Sequence, residues 1–159
     1  MKQFLVLLFA VAMMACSGGG DPAPTPTPPT PTVSVATLVK KVWTVNTAQW
    51  DGVTKYDKAG TANVVQGYAQ YKLDLSTAGS VTLTEFDGKI FTGTYSVATD
   101  GLSLTLNGLT SADGAPTGTG GTISYSILVT PTATSLSLQQ TTAYVKASSA
   151  IVKLALVNP

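Results

Sequence analysis

The side chains able to do chemistry are few, and their types exclude most of it. Nine lysines stand among 159 residues, with no arginine, no histidine and a single cysteine, Cys16. Without histidine, a Ser or Cys nucleophile has no imidazole base. Without histidine or a second cysteine, the usual zinc ligand set cannot form. Neither Gly-x-Ser-x-Gly nor Ser-x-x-Lys occurs. Gly118-Thr-Gly-Gly121 has the look of a phosphate loop, but it lacks the P-loop lysine and a strand-to-helix context. No Asp-x-Asp ladder suggests calcium. Among the carboxylates, Asp51, Asp87, Asp100 and Asp113 each precede a glycine and read as turn residues, and Asp21 falls in a linker, which leaves Asp57, Asp74 and Glu85. A glycosidase needs two carboxyls about 5–10 Å apart. Asp74 and Glu85 fall on segments joined through residues 76–80 and could be cross-strand neighbours. Lys72, two residues from Asp74 on the same face, makes a solvated charged face the simpler reading. The sequence therefore predicts no enzyme, no metal and no cofactor. Nor does it predict a nucleic-acid partner: nine lysines against eight acids give no basic field, and bidentate arginine readout is absent.

Cys16 has chemistry of another kind. Lys2 precedes an eleven-residue apolar run, Phe4 to Met14, too short to span a bilayer and of signal-peptide length. Met13-Met14-Ala15-Cys16 then resembles a bacterial lipobox. The resemblance implies cleavage before Cys16 and acylation of Cys16, and so a lipid anchor in the outer membrane of a Gram-negative bacterium. A periplasmic and a surface position both stay open. Loss of residues 1–15 removes Lys2 and leaves eight lysines facing eight acids. A chain with no net side-chain charge holds to a membrane by its acyl chains rather than by electrostatics.

Residues 16–32 read as a linker. Ser17-Gly-Gly-Gly-Asp21 is followed by a Pro/Thr tract carrying six of the nine prolines. Proline fixes φ and lacks the ladder donor, so the tract reads as a polyproline spacer of roughly 30–35 Å.

From residue 33 to residue 159 the pattern has period two. Tyr71, Leu73 and Leu75 alternate with polar residues, as do Phe91, Gly93, Tyr95 and Val97, then Leu102, Leu104 and Leu106, then Ile123, Tyr125, Ile127 and Val129. Each run has one apolar and one hydroxyl-rich face, the signature of antiparallel strands buried on one side. Asp51-Gly52, Asp87-Gly88, Asp100-Gly101, Asp113-Gly114 and Asn107-Gly108 supply five hairpin-turn signals at roughly ten-residue spacing. The fold class is all-β: an antiparallel up-and-down meander of about eight to ten strands, closing as a barrel or, alternatively, stacking as a sandwich. One short helix is expected over Val35 to Lys41, and a long flexible loop or flap over residues 108–121.

Leu38-Val-Lys-Lys-Val-Trp43, the hairpins over residues 81–106 and the later strands over residues 125–138 resemble bacterial lipocalin-like lipoproteins. Lys41 stands where that family has glycine, and its arginine over the tryptophan is absent. Lys153 on the last strand is the available substitute. The resemblance implies a barrel with Trp43 closing its floor, and non-catalytic binding or transport of a small apolar or amphiphilic ligand. Tyr71, Phe91, Tyr95 and Tyr125 on inward faces are the candidate ligand contacts, the tyrosines because a buried hydroxyl needs a partner. Two other readings stay open. One is a tethered structural or adhesive domain with a filled core. The other is a glycan binder using exposed Trp50, Tyr56 or Tyr68.

Overall fold

The computed structural model describes residues 33–159. The expected signal peptide over 1–15, the lipidated Cys16 and the linker over 16–32 lie outside the described residues. Ser34 caps a short helix α1 (Val35–Leu38), its Oγ accepting the Thr37 N–H at 3.3 Å. The helix is three residues shorter than the expected Val35 to Lys41, and nine strands follow it: β1 (Val42–Trp50), β2 (Val53–Asp57), β3 (Lys72–Asp74), β4 (Ser80–Thr84), β5 (Ile90–Val97), β6 (Ser103–Thr110), β7 (Ile123–Val129), β8 (Ser135–Gln140) and β9 (Val152–Val157).

All neighbouring strands are antiparallel, and from β3 to β9 each pairs with the next in sequence. β1 closes the ring. One of its edges pairs with β9, from Thr44↔Val157 to Trp50↔Val152. The other is shared, first by β3 (Val42↔Asp74) and then by β2 (Trp50↔Val53). The result is an eight-stranded closed barrel with β2 as a ninth strand lying beside β3's place on β1. The closed circuit of pairing selects the lipocalin-like barrel over the sandwich, because a sandwich keeps two sheets with free edges.

The alternating residues fill the interior. Leu73, Val81, Leu83, Phe91, Leu104, Leu106, Leu136, Leu138, Leu154 and Leu156 are all buried. Trp43 is fully buried, and its indole N–H donates to the Val39 carbonyl at 2.7 Å, which ties β1 to the end of α1. Lys153, expected over this tryptophan, is exposed instead. It pairs across the sheet with Gln49 and Gln139 on the polar face of β9.

The Asp-Gly pairs act as expected. Asp51 and Gly52, with φ of 47° and 81°, make the two-residue turn between β1 and β2. Asn107-Gly108 is not a turn. Gly108 (φ 61°) lies inside β6, where two residues oppose one on β5. This bulge moves the inward position from Leu106 to Leu109 and keeps both leucines buried. The 108–121 segment is likewise not a loose flap. β6 runs to Thr110, Ser111 bridges Gly114, and the Leu109 N–H donates to the Gly121 carbonyl at 2.9 Å. Pro116 within it is buried.

Candidate functional site: a polar cluster inside the barrel

The inward face that begins with Val81 and Leu83 continues one step past β4 to Glu85, which is 2% exposed. The pleat carries a carboxylate into the barrel, where burial without partners would be prohibitive. Its partners come from the connection between β8 and β9. There a 3-10 turn, Val145–Ala147, is followed by Ser148 and Ser149, both at positive φ (55° and 59°). Tyr144 pairs its backbone with Ala150 and donates its hydroxyl to Glu85 Oε1. Lys146 donates from Nζ to Glu85 Oε2 and, at 2.8 Å, to Asp87 Oδ2. The ammonium also lies 5.2 Å from the Phe91 ring centroid. Burial works against the Lys146 charge, yet the bonds to Asp87 and Glu85 hold its pKa above the ordinary lysine value. Burial and then the bond to Glu85 keep the Tyr144 phenol protonated far beyond its usual range.

Beside Glu85 stand three more phenols. The Tyr71 and Tyr125 hydroxyls are 3.4 Å apart, and Tyr68 accepts the Trp50 indole N–H at 2.8 Å. Burial raises all three, Tyr125 up to about 12, with the Tyr71 hydrogen bond pulling the other way. Phe86 packs on Tyr68 with ring centroids 4.9 Å apart. These groups, with Gln140 from the inward face of β8, enclose a cavity of about 10 Å³. That is room for about one water. Gln140 is 6% exposed and its Oε1 has no hydrogen-bond partner. Gln140 and Tyr144 also wall a second space, an outer cleft of about 370 Å³ lined by Thr119, Thr122, Ser124 and Thr141.

Of the expected contacts, Tyr71 and Tyr125 meet at this cavity and Phe91 lies behind Lys146. Tyr95 is elsewhere, half-buried, with its hydroxyl on the Leu75 carbonyl at 3.1 Å. Asp74 and Glu85 do not form a pair. Asp74 faces outward and accepts from the Ser76 N–H and hydroxyl, which pull its pKa below the usual carboxylate value, while Glu85 faces in. The solvated face holds for Asp74 and fails for Glu85. The exposed aromatic platform also fails, since Tyr56 and Tyr68 are 6% and 1% exposed and Trp50 is partly buried against Phe86. Among the described residues no group of three or more metal-ligating side chains converges.

Sequence reasoning missed Glu85, Gln140, Tyr144 and Lys146 as a group. Glu85 is in phase with Val81 and Leu83, and Gln140 with Leu136 and Leu138, so parity places both inside. Tyr144 and Lys146 lie in a connection without a period, and no sequence signal places them.

No protein-family profile matches the sequence, and no curated protein matches it. Two solved structures are similar. A lipocalin-like protein from Bacteroides uniformis is 14% identical over 75% of this chain and 96% of that one, with a TM-score of 0.46. An uncharacterized protein from Bacteroides eggerthii is 13% identical over 75% of this chain and 98% of its own, with a TM-score of 0.44. The strand pairing described above, rather than these matches, defines the class: a lipocalin-like, eight-stranded β-barrel.

Proposed function

We propose that this chain is a lipid-anchored, non-catalytic binding protein of a Gram-negative outer membrane, acylated at Cys16, which takes its ligand at the polar end of the barrel. The supporting observation is the polar cluster of buried Glu85, Tyr144 and Gln140 with half-buried Lys146 at one end of the barrel. A buried ion pair contributes little net stability, and well-packed apolar side chains often do as well or better. Stability alone therefore gives no reason for the cluster, and recognition does. The interior itself is filled. Small-molecule pockets run to roughly 300–1,000 Å³, against about 10 Å³ here, so an apolar ligand deep in the barrel has no room. The outer cleft beside Tyr144 does have the volume.

The filled interior also supports a second reading, a tethered structural or adhesive domain without a small ligand. Two measurements on the full chain, expressed in a Gram-negative host, separate these. Labelling with an alkyne fatty acid should mark the wild type and not Cys16→Ala. An unlabelled wild type overturns the anchor. Native mass spectrometry of the detergent-extracted protein should show a further stoichiometric mass that leaves on denaturation. A mass of polypeptide and acyl chains alone would favour the structural domain.

A further inference from the structure

We propose that the cavity behind Tyr144 is the head-group site for a small hydroxylated primary amine, its ammonium entering the cavity and its body lying in the outer cleft. This rests on the reading above that the polar end of the barrel binds a ligand.

Four features converge on an ammonium. Among the described residues, the buried side-chain nitrogen or oxygen left without a partner is an acceptor, Gln140 Oε1, on a residue 6% exposed. Glu85 is a second acceptor with capacity in hand. A carboxylate offers about four lone-pair sites, of which Tyr144 and Lys146 each take one. The ion pairs at this end join Glu85 and Asp87 to Lys146, two acids against one lysine. One added positive charge brings them to neutrality. The remaining walls are the rings of Tyr68, Tyr71, Phe86 and Tyr125 with the aliphatic side chains of Leu83, Val152 and Leu154, and aromatic rings favour a cation beside them.

Size sets the class of amine. The cavity of about 10 Å³ admits a group no larger than a water, which suits a primary ammonium and excludes a quaternary one. A single water would satisfy the hydrogen bonds, but it brings no charge. Gln140 and Tyr144 belong to both walls, so a rotation of the Tyr144 ring that gives up its bond to Glu85 would join cavity and cleft. The cleft offers the hydroxyls of Thr119, Thr122, Ser124, Thr141 and Thr142, which match a body carrying hydroxyls rather than an alkyl chain.

The test is thermal unfolding of the full chain in detergent with four probes: 2-aminoethanol, choline, ethylene glycol and octanoate. At about ten times its Kd, 2-aminoethanol should raise Tm by roughly 3–6 °C, and the other three should not. Gln140→Leu should lose this response while its unliganded Tm holds or rises, since the substitution removes an unpaired buried acceptor. That second reading separates loss of the site from loss of the fold. An equal response to ethylene glycol or choline, or a Gln140→Leu protein that still responds, overturns the ammonium site. A shift with octanoate alone overturns it and leaves a binding protein of another kind. No shift with any probe overturns both.

Discussion

Glu85 shows how a single side chain is governed by its neighbours. Its carboxylate is buried, and the two donors that make this tolerable, Tyr144 and Lys146, come from about sixty residues further along the chain. Lys146→Met should therefore be costly. It leaves a buried carboxylate with one neutral donor, and breaking a buried pair from one side typically loses about 3–5 kcal/mol. Adding Glu85→Leu should recover most of that loss, because the desolvated charge goes with it. Urea unfolding of the single and double variants measures both. A single variant as stable as the wild type would mean that Glu85 is neutralised some other way. The same residues mark what was legible. Parity along β4 and β8 places Glu85 and Gln140 inside, yet a lone acid in a strand reads as solvent-facing when only its charge is considered. Nothing in residues 141–151 says that Tyr144 and Lys146 turn inward, because a connection has no period and its direction is set by what it covers.

At the scale of elements, the strands follow from alternation, and nine of them lie within the expected eight to ten. The errors fall where one local signal serves two structures. Asn107-Gly108 announces a positive φ and nothing more. Whether that makes a turn or a bulge depends on whether the chain beyond it stays in the same strand, as it does in β6. Tyr68 is a second case. It sits in a 3-10 turn, Gln66–Gln70, where no period of two or 3.6 applies, so its burial is unreadable from sequence. That turn lies hard against the connection between β4 and β5. A Cβ added at Gly67 would collide with the Phe86 carbonyl, which is backbone and cannot swing aside. Gly67→Ala should push the turn outward, lower stability by about 1–3 kcal/mol or more, and unseat Tyr68 from Trp50 and Phe86. A red shift of the tryptophan emission in a still-folded variant checks the second part. Unchanged emission and stability would mean that the turn accommodates the methyl without moving.

The molecule as a whole depends on a closure that no local pattern encodes. Barrel and sandwich share strand lengths, turns and alternation, and they differ in whether the first strand finds the last. Here β1 is the common partner. Its N-terminal half is shared between β9 and β3, and its C-terminal half between β9 and β2, with a register shift between Val45 and Thr47 letting the strand bend. β9 in turn supplies Val152, Leu154 and Leu156 to the core and pairs on both edges. A chain ending at residue 151 would lose those three buried side chains and leave β1 and β8 with open hydrogen-bonding edges. Unpaired edges recruit other chains. Burying a large aliphatic side chain contributes about 1.5–3 kcal/mol, so the lost core alone approaches the whole stability of a small domain. The truncated chain should therefore appear in size-exclusion chromatography as aggregate rather than monomer. Adding a synthetic peptide of residues 152–159 during refolding should restore some monomer, because the missing strand fits between two edges that already face it. A truncated chain that stays monomeric with native-like circular dichroism would mean that β8 and β1 pair directly and that closure does not need β9.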